Sequence, residues 1–121
     1  DHRDRLVTAR QAWGLAAPAA AVGVHCMTRT GFVERTRDRT ARERERMRER
    51  LSTEYGVHPA DANILLLDVD DRSVPAVVER ARDGGVAVRD ATDYRGLDSH
   101  VRVAVRKSDE NDRLLDALLP A

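Results

Sequence analysis

The stretch from His100 to Arg106, His-Val-Arg-Val-Ala-Val-Arg, alternates apolar and polar residues at every step. Successive side chains of a strand point to opposite faces, so this run is a strand with one buried face and one wet face. Val101, Val103 and Val105 take the buried face; Arg102, Ala104 and Arg106 take the other. A strand of this kind needs partners. Asn63 to Leu67 is a continuous apolar run and reads as a fully buried strand. Val86 to Arg89 reads as a short strand, joined to the His100 strand by the loop Asp90 to Ser99 and therefore antiparallel to it.

Helical patterns fill the rest. From Phe32 to Glu54 the residues Phe32, Val33, Thr36, Thr40, Met47 and Leu51 recur at spacings of three and four, which predicts one long helix. Thr30 is placed to cap its start, Glu34 to set a charge near it, and Tyr55-Gly56 to end it with a left-handed glycine. Ser73 is the expected cap of a helix from Val74 to Arg82 with Pro75 in its first turn and Gly84-Gly85 after it. Ser108 is the expected cap of a last helix from Asp109 to Leu119. Nearer the start, Asp1 to Ala12 reads as the end of a helix, interrupted at Trp13-Gly14. Leu15 to Met27 is small and apolar and predicts a buried helix from about Pro18. The order of helices, strand, helix, two strands and helix predicts an α+β fold: a small sheet with antiparallel pairing and helices on one face, one long helix before it.

Composition narrows the function. The 121 residues suit one ordinary domain. Trp13, Phe32, Tyr55 and Tyr94 are the complete aromatic set, so the core is expected from Leu, Val, Ile and Ala. No apolar run approaches the roughly 20 residues of a membrane helix, so no membrane partner is expected. The 21 basic and 21 acidic side chains balance, which argues against a general polyanion binder. Residues 29 to 50 hold nine Arg against five acids. Interleaved acids repel phosphate, and no aromatic residue is set among these arginines for base stacking, so a solvated face with i,i+4 ion pairs is read there and no nucleic acid is expected. The single Cys26, in an apolar stretch, reads as a core thiol and points to a reducing, cytoplasmic compartment.

The sequence shows no stand-alone catalytic constellation. The histidines at 2, 25, 58 and 100 lack ligand spacing, and Asp68, Asp70 and Asp71 lack the glycine and distal glutamate of a calcium loop, so no metal is expected. No phosphate-cradling glycine loop and no nucleophile elbow are present. Two arginines stand apart. Arg102 is mid-strand opposite the three valines, with the small Ala104 as its neighbour on that face, and Arg89 ends the preceding strand. In an antiparallel pair the two converge on one anion, which a planar guanidinium holds by two parallel hydrogen bonds. They also read as two exposed strand-end arginines.

The stretch Gly85-Val-Ala-Val-Arg-Asp-Ala-Thr-Asp-Tyr-Arg-Gly-Leu97, then Val101-Arg-Val-Ala-Val-Arg106 and Glu110-Asn-Asp-Arg-Leu-Leu-Asp-Ala-Leu118, resembles the C-terminal end of class I/II, fold-type-I aminotransferases that depend on pyridoxal 5'-phosphate (PLP). Within them it is most similar to the histidinol-phosphate aminotransferase and threonine-phosphate decarboxylase branch. Ala9-Arg-Gln-Ala-Trp13 resembles the family's RQPW stretch, Phe32-Val-Glu-Arg-Thr-Arg37 through Met47 its long interdomain helix, and Asp61-Ala-Asn-Ile-Leu-Leu66 its ANFLL strand. The resemblance implies that residues 1–30 are the helical tail of the large PLP-binding domain and residues 31–121 the long helix plus the small α+β domain. It implies that Arg102 grips the substrate's acidic group with help from Arg89, on a small amino-acid or amino-phosphate substrate, in a homodimer. Departures accompany it. Ala12 stands where the family has Pro, and Gly14-Leu15 where it continues with Asn. The lysine that anchors PLP belongs to an upstream Ser-x-Thr/Ser-Lys segment, and Lys107, the only lysine, follows the arginine strand instead. The expectation is a substrate-binding segment of a PLP enzyme, inert alone and without catalytic residues of its own. The alternative is a stand-alone anion-binding or dimerisation module.

Overall fold

A computed structural model describes residues 1–9 and 14–120, apart from the side chain of Val7. Among them the order is α1 (His2–Ala9), α2 (Ala17–Met27), α3 (Thr30–Leu51), β1 (Gly56–Val57), β2 (Ile64–Asp68), α4 (Val74–Asp83), β3 (Arg89–Asp90), β4 (His100–Ala104) and α5 (Ser108–Leu118). The fold is α+β, with a four-stranded sheet in the order β1-β2-β4-β3 and antiparallel pairing throughout. Two compact units are distinguished, residues 1–35 and 36–121.

In the second unit the period-2 pattern does what the sequence demands. The register of β2 on β4 sets Leu65 opposite Val103, Leu66 opposite Arg102, Leu67 opposite Val101 and Asp68 opposite His100. Leu65, Leu67, Val101 and Val103 are at most 1% exposed and turn to the helices. There they meet Val74, Val77 and Ala81 of α4, Leu114, Leu115 and Leu118 of α5, and Met47 and Leu51 of α3. Leu66 and Ile64, on the other face, are only half-buried. The apolar run Asn63 to Leu67 is thus not buried throughout: the helices cover one face of the sheet, and the run alternates like its neighbour.

A polar cluster ties α3 to α5. The Glu43 carboxylate accepts hydrogen bonds from Arg46 Nη2 (2.7 Å), Ser108 Oγ (2.8 Å) and Asn111 Nδ2 (2.8 Å). The Arg46 bond above all holds its pKa down from 4.5 to about 2. Arg46 also reaches Asp112 at 2.6 Å, and buried Asn111 accepts from the Arg106 N–H at 2.8 Å and donates to its carbonyl at 3.2 Å. The ion pairs along α3, Arg46 with Glu43 and Arg48 with Glu45, span three residues where four were expected.

Several local expectations are corrected. Thr30 lies inside α3 rather than capping it; Arg29 O receives the first N–H groups, those of Phe32 and Val33, and Glu34 falls beyond the first turn. The helix stops at Leu51, and Gly56 is a strand residue whose missing Cβ clears Asp68: a Cβ there would lie 3.2 Å from that of Asp68. Ser73 sits at the cap position of α4 with no side-chain bond to the helix start. Ser108 opens α5 and spends its hydroxyl on Glu43, while Lys107 N–H donates to Glu110 Oε2 at 3.5 Å. Val86 to Val88 precede the ladder, and only Arg89 and Asp90 pair.

The first unit holds α1, α2 and the start of α3. Pro18 lies in the first turn of α2, as its fixed φ favours. No residue of α2 is buried, however, and Val22, Val24 and Met27 are 62%, 66% and 80% exposed. The buried helix and the core thiol are both corrected by this: apolar composition calls for a cover that the described residues of 1–35 do not supply, and Cys26 is exposed. Residues 10–13, which carry most of the RQPW-like stretch and the Trp13 interruption, lie outside the described residues. Among the described residues no helix is long and apolar enough to cross a membrane.

Candidate functional site

β3 and β4 pair antiparallel with Arg89 directly opposite Arg102 and Asp90 opposite Val101. Residues opposite each other share a face, and Leu66 on β2 is Arg102's partner on the other side. The face turned away from the helices of this unit therefore presents Arg89, Arg102, Leu66 and Ala104 in one patch. The two sequence-predicted site residues are brought together.

Their surroundings differ. Arg102 is half-buried and has no ion-pair or side-chain hydrogen-bond partner among the described residues. Arg89 is held from below by the loop that follows its strand. Its Nη2 donates to Asp93 Oδ2 at 2.6 Å, and its guanidinium carbon lies 5.5 Å from the centre of the Tyr94 ring, a cation–π distance. The loop is firmly folded. Tyr94 N–H donates to Ala91 O at 3.0 Å and Leu97 N–H to Tyr94 O at 3.2 Å, and Gly96 takes φ +79°, where a side chain would be strained. The Asp90 carboxylate accepts from the hydroxyl (2.7 Å) and N–H (2.8 Å) of Thr92, bonds that hold its pKa below the usual carboxylate range.

Beyond Arg102 on the same face a second polar group forms. His58 Nε2 and His100 Nε2 are 3.0 Å apart, so one ring carries a proton there that the other accepts. Asp68 Oδ2 is 4.0 Å from His100 Nε2, while Asp68 Oδ1 accepts from Ser99 Oγ (2.8 Å) and Asp70 N–H (3.0 Å). Those two bonds, the serine's first, lower the pKa of Asp68. Asp70 takes φ 51° in the turn after β2, and among the described residues no group of three or more His, Cys, Asp or Glu is arranged to hold a metal.

Chemically, the patch offers two planar cations for an acid group, and beside it the Ser99 hydroxyl lies between the Asp68 carboxylate (2.8 Å) and His100 Nδ1 (3.5 Å). Two of its features escaped the sequence reading. Asp93 stands four residues after Arg89, a spacing that offered a local signal; the His58–His100 contact spans 42 residues and offered none.

No protein-family model matches the chain. It is 36% identical over 112 residues to histidinol-phosphate aminotransferase 2 of Archaeoglobus fulgidus, covering 90% of this chain and 32% of that protein. It is 37% identical over 90 residues to the histidinol-phosphate aminotransferase of Methanoculleus marisnigri, covering 74% and 25%. A protein of Caldanaerobacter subterraneus assigned as a threonine-phosphate decarboxylase is 32% identical over 117 residues, covering 94% and 32%. Among solved structures, the histidinol-phosphate aminotransferase from Clostridium acetobutylicum shares the fold at TM-score 0.80 and 23% identity, over 92% of this chain and 34% of its own. A decarboxylase from Sulfurospirillum multivorans shares it at TM-score 0.73 and 24% identity, over 97% and 35%. The chain spans about a third or less of the length of these relatives. Over most of its length, then, the chain matches a part of the histidinol-phosphate aminotransferases and threonine-phosphate decarboxylases, and it has the fold of the corresponding part of their solved structures.

Proposed function

We propose that this chain is the acid-gripping segment of a PLP-dependent aminotransferase or amino-acid-phosphate decarboxylase, with Arg102 the principal grip and Arg89 its helper. In this reading residues 1–30 are the helical tail of the large PLP-binding domain, residues 31–121 form the long helix and the small domain, and the active protein is a cytoplasmic homodimer. The observation that carries it is the cross-strand pairing of Arg89 with Arg102 on the sheet face away from the core. Two like charges set opposite each other destabilise a sheet, and an anion shared between them reverses that cost. The relatives' names, histidinol-phosphate aminotransferase and threonine-phosphate decarboxylase, supply the substrate class: small amino compounds that carry a phosphate.

The residues present do not fit the cofactor itself. Lys107, the only lysine, is exposed in the turn that opens α5, its N–H bound to Glu110. In this reading the lysine that anchors PLP lies outside this chain, and the chain alone is expected to be inert. PLP, when bound in the complete enzyme, supplies an electron sink. What this chain contributes is orientation: Arg102 and Arg89 fix the acid end of the substrate, which sets the bond that is presented for breaking. The test is Arg102→Ala in the complete enzyme. A strong rise in KM with PLP content unchanged is expected, and unaltered kinetics reject the role.

One observation favours a second reading. The bare apolar surface of α2 suits a stand-alone module that dimerises or binds anions without catalysis. Sedimentation of the isolated chain, with titration by a phosphate-bearing amino acid, separates the two readings.

A further inference from the structure

Arg89 already has a carboxylate. We propose that Asp93 is a built-in competitor at the anion site, a specificity-determining residue that occupies Arg89 in the free chain and must be displaced or shared when an acid group arrives. The inference rests on the grip assigned to Arg102 and Arg89.

The geometry is asymmetric in a way that a simple pair of surface arginines would not be. Of two arginines in direct register, one is bound to a carboxylate at 2.6 Å and stacked on Tyr94, and the other has no partner among the described residues. Asp93 engages one corner of the Arg89 fork through Nη2, and among the described residues no other hydrogen bond of that guanidinium is formed. The Arg89 strand lies in register with the one that carries Arg102. An incoming anion that touches only Arg89 meets the Asp93 charge on the same guanidinium and is repelled. One that bridges to Arg102 gains a cation with no internal rival. Asp93 thus lowers the affinity for small anions in general and leaves the advantage to acid groups placed to reach both arginines.

The magnitudes decide the sign of the expected effect. The Arg89–Asp93 pair is exposed, at 49% and 60%, so its loss frees little order. Removing a full negative charge beside the bound anion acts in the opposite sense and dominates. Inorganic phosphate is the probe, followed by the amide and arginine Nε–H signals of the parent, Asp93→Asn, Arg89→Ala and the double variant. Asp93→Asn is expected to tighten phosphate binding about two- to fivefold, the range an exposed ion pair is worth. Asp93→Glu, which keeps the charge, is expected to restore the parent value. The gain should vanish in the Arg89→Ala background, because the competition runs through that guanidinium. An unchanged or weaker affinity in Asp93→Asn overturns the proposal, as does an equal gain without Arg89, which would mark a mere change of net charge. Failure of the grip itself looks different: Arg102→Ala and Arg89→Ala would both leave phosphate binding unaltered, or no variant would bind it, and the Asp93 proposal would fall with it.

Discussion

Arg89 and Arg102 face each other across the β3–β4 ladder, and only Arg89 has a counter-ion within the described residues. A fold selected for stability alone would not keep that arrangement, since like charges opposite each other are unfavourable. Replacing Arg102 by Thr, a good strand residue, is therefore expected to raise stability by about 0.2–1 kcal/mol while it removes phosphate binding. Urea denaturation beside an anion titration checks both halves; a variant that loses stability speaks against strain at this pair.

Glu43 predicts a pH dependence. Its folded pKa is about 2 against an ordinary 4.5, and its side chain is only 13% exposed. A depressed carboxylate contributes its stability above the unfolded pKa and loses it as pH falls through the folded one. The contribution is present above pH about 4.5 and fades toward pH 2. Glu43→Gln is expected to cost about 2–3 kcal/mol at neutral pH, with the gap to the parent closing over that window in urea titrations at stepped pH.

The two glycines after α4 should respond to alanine for opposite reasons. Gly84 has an ordinary φ of −77°, yet a Cβ there would lie 2.4 Å from the Cβ of Ala117 on α5. Gly85 has open space around it and φ +74°. Gly84→Ala is expected to cost about 1–3 kcal/mol by overpacking two helices, and Gly85→Ala about 1–2 kcal/mol by backbone strain alone. Pairing each with Ala117→Gly distinguishes them in thermal melts: the second change rescues Gly84→Ala and leaves Gly85→Ala unrescued.

Neighbouring leucines of β2 should differ sharply. Leu65 is fully buried in the core and Leu66 is half-buried beside Arg102. Leu65→Ala is expected to cost about 2–5 kcal/mol. Leu66→Ala is expected to cost less than half as much and to change anion binding. Equal losses of stability would mean that the Leu66 face is covered more than the fold shows.

What the sequence revealed follows from the range of the interactions involved. The alternation in β4 depends on neighbours two apart, so the valine face was readable, and with it the convergence of Arg89 and Arg102 once the loop between them implied a hairpin. The α3–α5 cluster was not readable. Asn111 and Glu43 are 68 residues apart, and each looks like an ordinary helix-surface residue until tertiary packing brings them together. The caps failed for a similar reason: Ser108 has the right chemistry for its own helix, but a carboxylate on another helix is the stronger acceptor. The apolar α2 misled because composition states a preference for cover without saying what provides it.

The register of β2 on β4 has one more consequence. Even-numbered residues of both strands, 64, 66, 68, 100, 102 and 104, share the face of Arg102, and the odd-numbered residues 65, 67, 101 and 103 share the core's. Core and site are thus written in a single frame of parity. Loss or gain of one residue within β4 would invert it, sending Arg102 inward and the valines out to solvent. Substitution can retune the arginine face one residue at a time, but a length change in this strand cannot alter that face without dismantling the fold that holds it.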